Sequence, residues 1–184
     1  MVIYTFKGEH KNKSGDLLKK AVAAFTAEKM IPAGTELFHS ISHTGSLWGC
    51  LVSERRVGFD LEIKRDIDCF RLAERFFLEE EIEYVRKNGI DGFFDVWVIK
   101  EACVKYYKTG LMKDMKSFRT SDGDRLSERI KHNGDECFVY AFEYCEGVKC
   151  GYCCDVKGAV PEKRVMEGMY EKDNHNGRPD ERAC

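Results

Sequence analysis

The chain has 184 residues and a formal net charge of −2, and its composition is 43% hydrophobic and 12% aromatic. This length predicts one large domain or two small ones that share a core, and the composition excludes wholesale disorder. The near-neutral charge argues against nucleic-acid binding through bulk positive potential, and no apolar run approaches the ~20 residues that span a bilayer. The first residues become charged too soon for a secretory signal, so we expect a cytoplasmic protein with no nucleic-acid or membrane partner.

The first third of the sequence predicts strands around one helix. Residues 2–6 are β-branched and aromatic, which is typical of a strand, and 16–29 predict a helix that Ser14 can cap. After Pro32 the pattern changes to short strands over 37–42, 47–52 and 57–63.

The second part of the sequence predicts two helices and a terminal hairpin. A helix over 66–88 with a break near 76–78 is followed by the stop signal Asn88-Gly89 and by a second helix over 93–108. The second helix is apolar on both sides, which indicates that it is buried. A hairpin is expected over 137–144 and 148–156, and the polar residues 157–184 are expected to form a disordered tail.

Nine cysteines are unusual in a chain of this length. Their odd number, without a signal peptide, argues against a secreted disulfide framework. Four crowd one stretch, and its Cys-x-x-Cys alone would suggest zinc or redox chemistry: Cys145, Cys150, Cys153 and Cys154. On a strand, Cys150 and Cys154 face one way and Cys153 faces the other, which is a poor tetrahedral set. We interpret these cysteines as core packing in a reducing compartment.

The strand over 57–63 contains a candidate metal site. Asp60 and Glu62 project to the same side because a strand alternates its faces. Paired carboxylates suit Mg²⁺, which takes one or two carboxylates and completes its shell with phosphate and water. The alternative interpretation is an exposed strand face with two solvated acids.

The helix over 93–108 contains a candidate phosphate site. Glu101 and Lys105 are four residues apart, so the simple alternative is a surface ion pair worth ~0.3–0.5 kcal/mol. The apolar character of the helix weakens that alternative. With Lys100 on its other side, Glu101 lies between two cations that can hold a phosphate chain against a metal ion.

Ser42 and His43 lie at the end of a predicted strand, where they can donate hydrogen bonds to phosphate oxygens. The alternative for His43 is a side chain that only satisfies a turn backbone. The sequence has no P-loop, dinucleotide fingerprint, Gly-x-Ser-x-Gly elbow or His-Glu-x-x-His motif. Nucleophilic catalysis by a side chain of this chain is therefore poorly supported.

Taken in order, three motifs resemble those of the 4′-phosphopantetheinyl transferase superfamily. They are Ile41-Ser42-His43-Thr44, Val57-Gly58-Phe59-Asp60-Leu61-Glu62 and Trp97-x-x-Lys100-Glu101-Ala102-x-x-Lys105, with Arg75-Phe76-Phe77 between the last two. Their order is similar to that of the larger, surfactin-synthetase-activating type. The resemblance covers residues 37–111.

The resemblance implies Mg²⁺-dependent transfer of 4′-phosphopantetheine from coenzyme A to a serine of an acyl or peptidyl carrier protein, with release of 3′,5′-ADP. The implied residues are the metal ligands Asp60, Glu62 and Glu101, the phosphate-neutralising Lys100 and Lys105, and the coenzyme A-binding Ser42 and His43. Glu101, directly or through water, would be the base for the carrier serine. Fatty-acid, polyketide and peptide carriers all stay open, as do Mg²⁺ and Mn²⁺.

The implied architecture is the α+β transferase fold, with two similar halves about a pseudo-twofold and the site in the cleft between them. We expect a reduced first half over 1–51, a second half with the metal and phosphate site over 52–156, and the tail. Residues 30–33 replace the Gly-Lys-Pro element of larger members, and Lys108 stands at the first glycine of Lys-x-x-Gly-x-Gly-Leu. A short first half predicts residual apolar surface, which a homodimer would bury.

Two other functions are open at this point. A non-catalytic module that binds coenzyme A or a carrier protein is suggested by the shortened first half. A metal-dependent phosphodiesterase would use the same acids on a smaller substrate, although no residue pattern is specific for it.

Overall fold

The computed structural model describes residues 1–108 and 115–167, and these form an α+β fold of two four-stranded sheets and three helices. In chain order the elements are β1 (Val2–Lys7), α1 (Ser14–Glu28), β2 (Phe38–Thr44), β3 (Leu47–Ser53), β4 (Val57–Ile63), α2 (Cys69–Phe76), α3 (Glu79–Tyr107), β5 (Arg129–His132), β6 (Asp135–Cys145), β7 (Val148–Cys154) and β8 (Glu162–Val165). The predicted α+β class is confirmed.

The first sheet has the strand order β2-β3-β1-β8 and is covered by α1. Leu17, Ala21 and Phe25 recur every four residues, so they share one face of α1 and are buried against the sheet. The predicted strand, helix and hairpin of this region are confirmed. Ser14 does not cap α1, because its hydroxyl instead accepts a hydrogen bond from the Trp48 indole at 2.9 Å.

The second sheet has the order β4-β7-β6-β5, and α3 lies across β4 and β7. Two glycines permit this close packing. A Cβ at Gly58 would lie 1.9 Å from the Ala102 carbonyl oxygen, and one at Gly151 would lie 2.4 Å from the Val98 carbonyl oxygen. A larger residue at either position would push α3 off the sheet.

The predicted break between the two helices is confirmed, since α2 ends at Phe76 and α3 begins at Glu79. The predicted stop at Asn88-Gly89 coincides with an interruption of α3, since Gly89 has the non-helical angles φ 61° and ψ −141°. Glycine adopts this conformation without steric cost. A second helical segment follows directly, so Gly89 forms a kink between two segments of α3.

The prediction of a disordered tail over 157–184 is wrong for the part that the structure describes. β8 pairs in parallel with β1, with Val2 opposite Glu162 and Thr5 opposite Val165. The four residues of β8 are exposed and have no buried face, so hydrophobic periodicity could not reveal the strand. Residues 168–184 lie outside the described residues.

Among residues 1–108 and 115–167, the cysteines that are free and buried are Cys50, Cys69, Cys103, Cys137, Cys150, Cys153 and Cys154. Cys150 and Cys154 pack with Phe59 and Leu61, whereas Cys153 packs on the opposite side of β7, as the strand alternation predicts. Over residues 1–108 and 115–167, no helix combines the length and the apolar character needed to cross a membrane.

Candidate functional site

The site lies where the edge of the first sheet meets the edge of the second. β2 and β4 run side by side, and hydroxyl groups on alternate residues of β2 make the hydrogen bonds between them. Ser40 Oγ accepts from the Phe59 amide at 3.0 Å, and Thr44 Oγ1 accepts from the Ile63 amide at 3.2 Å. Because side chains alternate along a strand, Ser40, Ser42 and Thr44 all face β4.

Asp60 is the buried centre of the site. Its Oδ1 atom accepts hydrogen bonds from Ser42 Oγ at 2.7 Å and from Lys105 Nζ at 2.8 Å. Lys105 also donates to the Phe59 carbonyl oxygen at 3.0 Å. The other carboxylate atom, Asp60 Oδ2, is buried and has no hydrogen-bond partner among the described residues. Half of this carboxylate is therefore held in place, and the other half offers an unused acceptor.

Glu62 and Glu101 complete a group of three acids. Glu62 Oε2 accepts from Thr44 Oγ1 at 3.1 Å, and burial together with the charge of Asp60 raises the pKa of Glu62. Burial raises the pKa of Glu101 to about 7, and the charges of Asp60 and Glu62 add to this effect while Lys105 opposes it. The negative charge of the three carboxylates is thus incompletely compensated.

The donor set fits a hard divalent cation. Three carboxylates supply the oxygen ligands that Mg²⁺ prefers, and Asp60 Oδ2 is a buried oxygen that lacks a donor within the part of the chain described. The ligand atoms of the three acids do not all lie within 4.8 Å of one another. Mutual repulsion keeps uncompensated carboxylates apart, and a bound cation would remove it.

Lys100 does not lie with these acids. Its ammonium is fully buried and forms an ion pair with Glu81, which is also fully buried, at 2.8 Å. It also donates to the carbonyl oxygens of Met115 and Phe118. Consecutive helical residues point ~100° apart, so Lys100 leaves α3 in a different direction from Glu101.

Glu81 is itself saturated with hydrogen bonds. Its Oε1 atom accepts from the Thr120 amide at 2.8 Å and from the Thr120 hydroxyl at 2.9 Å, and its Oε2 atom accepts from the Leu78 amide at 2.8 Å. Burial lowers the pKa of Lys100, and the charge of Glu81 opposes this change. The pair therefore joins α3 to the segment that follows it and leaves no free donor for a substrate.

His43 is also separated from the acids. It is exposed on the face of β2 opposite Ser42, and its ring lies 5.5 Å from the ring of His10. An open groove beside the two rings is lined by Gly8, Glu9, His10, Lys11, Gly45 and Ser46. The predicted Ser42-His43 pair is thus divided between the acidic cluster and this groove.

Three contributing residues were missed by the sequence analysis. Thr44 holds Glu62, Glu81 pairs with Lys100, and His10 lies beside His43. The alternation of hydroxyl side chains along β2 could have indicated Thr44. No local pattern could have indicated Glu81 or His10, since each meets its partner only through the tertiary fold.

Comparison with known proteins assigns the family. A family model described as the 4′-phosphopantetheinyl transferase superfamily matches residues 56–153. The 4′-phosphopantetheinyl transferase gsp of Aneurinibacillus migulanus is 30% identical over 137 residues, covering 72% of this chain and 57% of that protein. A 4′-phosphopantetheinyl transferase of Bacillus subtilis is 25% identical over 171 residues, covering 82% of this chain and 76% of that protein.

The 4′-phosphopantetheinyl transferase Sfp of Bacillus subtilis (strain 168) is 26% identical over 129 residues, which cover 67% of this chain and 57% of that protein. This chain thus spans little more than half the length of two of these three relatives. The region matched by the family model carries Asp60, Glu62, Glu101 and Lys105, and it makes up more than half of the chain. The chain belongs to the 4′-phosphopantetheinyl transferase superfamily.

Proposed function

We propose that the chain transfers 4′-phosphopantetheine from coenzyme A to a serine of an acyl or peptidyl carrier protein and releases 3′,5′-ADP. The observation that carries this proposal is the acidic cluster of Asp60, Glu62 and Glu101, in which Lys105 bonds Asp60 Oδ1 and Asp60 Oδ2 has no partner among the described residues. The names of the relatives support the same reaction.

Asp60, Glu62 and Glu101 would hold Mg²⁺. Their oxygen chemistry and the buried acceptor on Asp60 suit this ion, although the same set can also take Mn²⁺. When bound, the ion acts as a Lewis acid and stabilises negative charge on the pyrophosphate. Ser42 and Thr44 orient the carboxylates of Asp60 and Glu62 through their hydroxyl groups.

Lys105 neutralises charge on the leaving group. Its ammonium has three donors, of which two are used by the Phe59 carbonyl and by Asp60. The third donor is free for a phosphate oxygen of coenzyme A, and the partial exposure of this side chain allows such contact. As the phosphorus–oxygen bond to 3′,5′-ADP breaks, Lys105 stabilises the charge that develops on that product.

Glu101 acts as the base. Directly or through one water, it takes the proton of the carrier serine while the serine oxygen attacks the phosphorus attached to pantetheine. In the metal-free site burial raises the pKa of Glu101 to about 7, and a bound cation would keep this carboxylate ionised and able to accept a proton. The nucleophile belongs to the carrier protein, which agrees with the lack of a nucleophile motif in this sequence.

The groove beside His10 and His43 would bind the terminal phosphate groups of coenzyme A. The two imidazole rings and the Lys11 ammonium can donate hydrogen bonds to phosphate oxygens, in place of the lysine of the Gly-Lys-Pro element of larger members. His10→Ala should raise the KM for coenzyme A about tenfold with a nearly unchanged kcat, because one charge-assisted hydrogen bond is lost. His39→Ala is the control, because it removes an exposed histidine that lies on β2 with His43.

The two sheets would be the two halves of the transferase fold, with the acidic cluster at their junction. The expected boundary between 51 and 52 would move to the end of β3 at Ser53, and β8 would belong to the first half. A homodimer would bury apolar surface left by the shortened first half. Light scattering tests this part of the proposal, since a monomeric mass at micromolar concentration contradicts it.

The reaction is tested by incubating the chain with coenzyme A, Mg²⁺ and several apo carrier proteins, and by measuring the mass of each carrier. The expected result is a gain of one phosphopantetheine group on the carrier serine. Glu101→Gln should reduce the rate by about 10²–10³-fold, since it removes both a negative ligand and the base. Glu79→Gln, an exposed acid on the same helix, should not change the rate.

Two results would contradict the proposed reaction. Binding of coenzyme A by calorimetry without transfer to any carrier would indicate a non-catalytic binding module. Hydrolysis of coenzyme A in the absence of a carrier protein, with no transfer in its presence, would indicate a phosphodiesterase.

A further inference from the structure

Three cysteines that are far apart in the sequence meet between α3 and the second sheet. Cys103 lies on α3, Cys137 on β6 and Cys153 on β7, and their Sγ atoms all lie within 4.8 Å of one another. Each of the three side chains is fully buried. Only Cys153 belongs to the crowded stretch in the sequence, so the spacing of cysteines along the chain does not predict this group.

The surroundings supply one more donor in an otherwise apolar cluster. The neighbours include Ile99, Val104 and Ile130. The Tyr107 hydroxyl lies 3.4 Å from Cys137 Sγ and also donates to the Ile130 carbonyl oxygen at 3.2 Å. The site therefore presents three sulfur atoms and one phenol oxygen, shielded from solvent.

The distances between the three Sγ atoms suit a single metal ion. Zinc binds thiolate sulfur at ~2.3 Å, so two sulfurs on one tetrahedral ion are ~3.8 Å apart. Sulfur atoms within 4.8 Å reach that arrangement through side-chain movements of a few tenths of an ångström to about 1 Å. Thiolate ligands select soft ions such as Zn²⁺ and Cu⁺, whereas the carboxylates of the candidate active site select hard ones.

We propose that Cys103, Cys137 and Cys153 form a structural binding site for one thiophilic metal ion, with the Tyr107 hydroxyl as the nearest fourth donor. Each cysteine gives its proton to solvent and binds as a thiolate, so three protons leave for each ion bound. Zn²⁺ leaves a net charge of −1 in the apolar cluster and Cu⁺ leaves −2. Because buried charge is costly, Zn²⁺ is the expected ion.

This ion would fix the position of the catalytic helix. Cys103 is two residues from both Glu101 and Lys105, and Cys153 pairs across the sheet with Gly58, two residues before Asp60. An ion on these sulfurs would join α3 to β6 and β7 from the side opposite to the acids. It would therefore stabilise the fold and hold the acidic cluster together without contacting substrate.

The first experiment measures binding by the full chain. The reduced protein is unfolded in guanidinium chloride and refolded with Zn²⁺, with Cu⁺ or without metal, because a buried site fills most readily during folding. The expected result is one equivalent of retained zinc, a raised Tm, and an X-ray absorption spectrum dominated by sulfur neighbours at ~2.3 Å. Retention of Cu⁺ in preference to Zn²⁺ would support the site and overturn the choice of ion.

The second experiment compares cysteine variants. Cys137→Ala and Cys103→Ala should each lose the zinc and the metal-dependent rise in Tm. Cys150→Ala is the matched control, since it removes another fully buried thiol from β7, outside the group of three. Circular dichroism checks that each variant folds.

Three outcomes would overturn the proposal: no ion retained by the unsubstituted chain, a ligand shell dominated by nitrogen and oxygen, or equal loss of the ion in Cys150→Ala. Because the readouts are stoichiometry, ligand type and Tm, a chain that fails to transfer phosphopantetheine can still pass this test.

Discussion

Lys100 and Glu101 are neighbours on one helix, yet they take part in two different kinds of charged site. Lys100 and Glu81 are both fully buried, and each is surrounded by hydrogen-bond partners. Glu101 lies with Asp60, Glu62 and a single lysine, and Asp60 Oδ2 has no partner among the described residues. The protein itself supplies the hydrogen bonds and the counter-charge of the first site. The second site needs a bound cation to compensate its negative charge.

The difference separates a structural role from a functional one. A buried ion pair that is fully hydrogen-bonded fixes a conformation and has no capacity left for a ligand. The acidic cluster can still bind a ligand, because Asp60 has an unused buried oxygen. Burial of its carboxylates and the repulsion among them raise the pKa values of Glu62 and Glu101 and destabilise the folded state. Charge in a buried helix is therefore not in itself a sign of function, and the degree of hydrogen-bond saturation decides between the two roles.

The largest expected effect on stability comes from a change in the buried ion pair of Lys100 and Glu81. Lys100→Met should lower the free energy of unfolding by about 3–5 kcal/mol, because it leaves the Glu81 carboxylate buried without a cation. Urea denaturation measures the change. Combining Lys100→Met with Glu81→Leu should restore most of the loss, since both charges are then replaced by apolar groups. A double variant no more stable than Lys100→Met would show that the pair is not the cause.

Gly58→Ala should have the next largest effect and should act on the acidic cluster. The new Cβ would lie 1.9 Å from the Ala102 carbonyl oxygen, so α3 must move away from β4 at an expected cost of about 3 kcal/mol. Transfer activity should fall with stability, since Asp60 then separates from Glu101 and Lys105. Gly15→Ala on α1 is the control, because a Cβ there meets no atom within 4 Å among the described residues.

Glu101→Gln should stabilise the metal-free protein by about 2 kcal/mol at about pH 8. The folded state holds the Glu101 proton up to a pKa of about 7, whereas the ordinary value is 4.5. Raising the pH from 4.5 to about 7 therefore lowers the free energy of unfolding of the unsubstituted protein. The variant has no carboxyl group at this position, so its stability does not fall in this way. The advantage should shrink as the pH falls below 7 and vanish at about pH 4, where Glu101 is protonated in both the folded and the unfolded state. Urea titrations without divalent ions at both pH values measure the difference, and an equal gain at both would contradict this origin.

Thr44→Val should have the smallest effect. It removes the hydrogen bond to Glu62 and the acceptor for the Ile63 amide while it keeps the shape of the side chain, at a cost of about 1 kcal/mol. The KM for Mg²⁺ should rise, because Glu62 loses its orienting partner. Thr26→Val on α1 is a matched control, since its hydroxyl bonds only its own helix at Val22. A KM that rises equally in both variants would contradict the assignment.

The strands of the first part were predictable from the sequence because short runs of apolar and β-branched residues stand between turn signals. These runs located β2, β3 and β4, and the acids on β4 were assigned to one side of the strand by its period of two. β8 was missed for a physical reason, because an edge strand with four exposed residues has no hydrophobic pattern. The interruption at Gly89 was predicted, but the local sequence does not show that a second helical segment follows it directly.

The sequence predicted those residues of the candidate site whose positions depend only on the local geometry of one strand or one helix. The placement of Asp60, Glu62, Glu101 and Lys105 follows from strand and helix periods together with the resemblance. The separation of Lys100 from these residues could not be predicted, because it depends on Glu81, which is 19 positions earlier and becomes its partner only in the folded chain. The meeting of three thiols from α3, β6 and β7 was hidden for the same reason.

The position of β8 has a consequence for synthesis on the ribosome. β1 is made first, but the strand that covers its open edge is made about 160 residues later. At roughly 5–20 residues per second, this edge stays unpaired for about 10–30 s in each nascent chain. The first sheet is therefore completed last, and its exposed backbone depends during that interval on chaperones or on rapid folding of the rest.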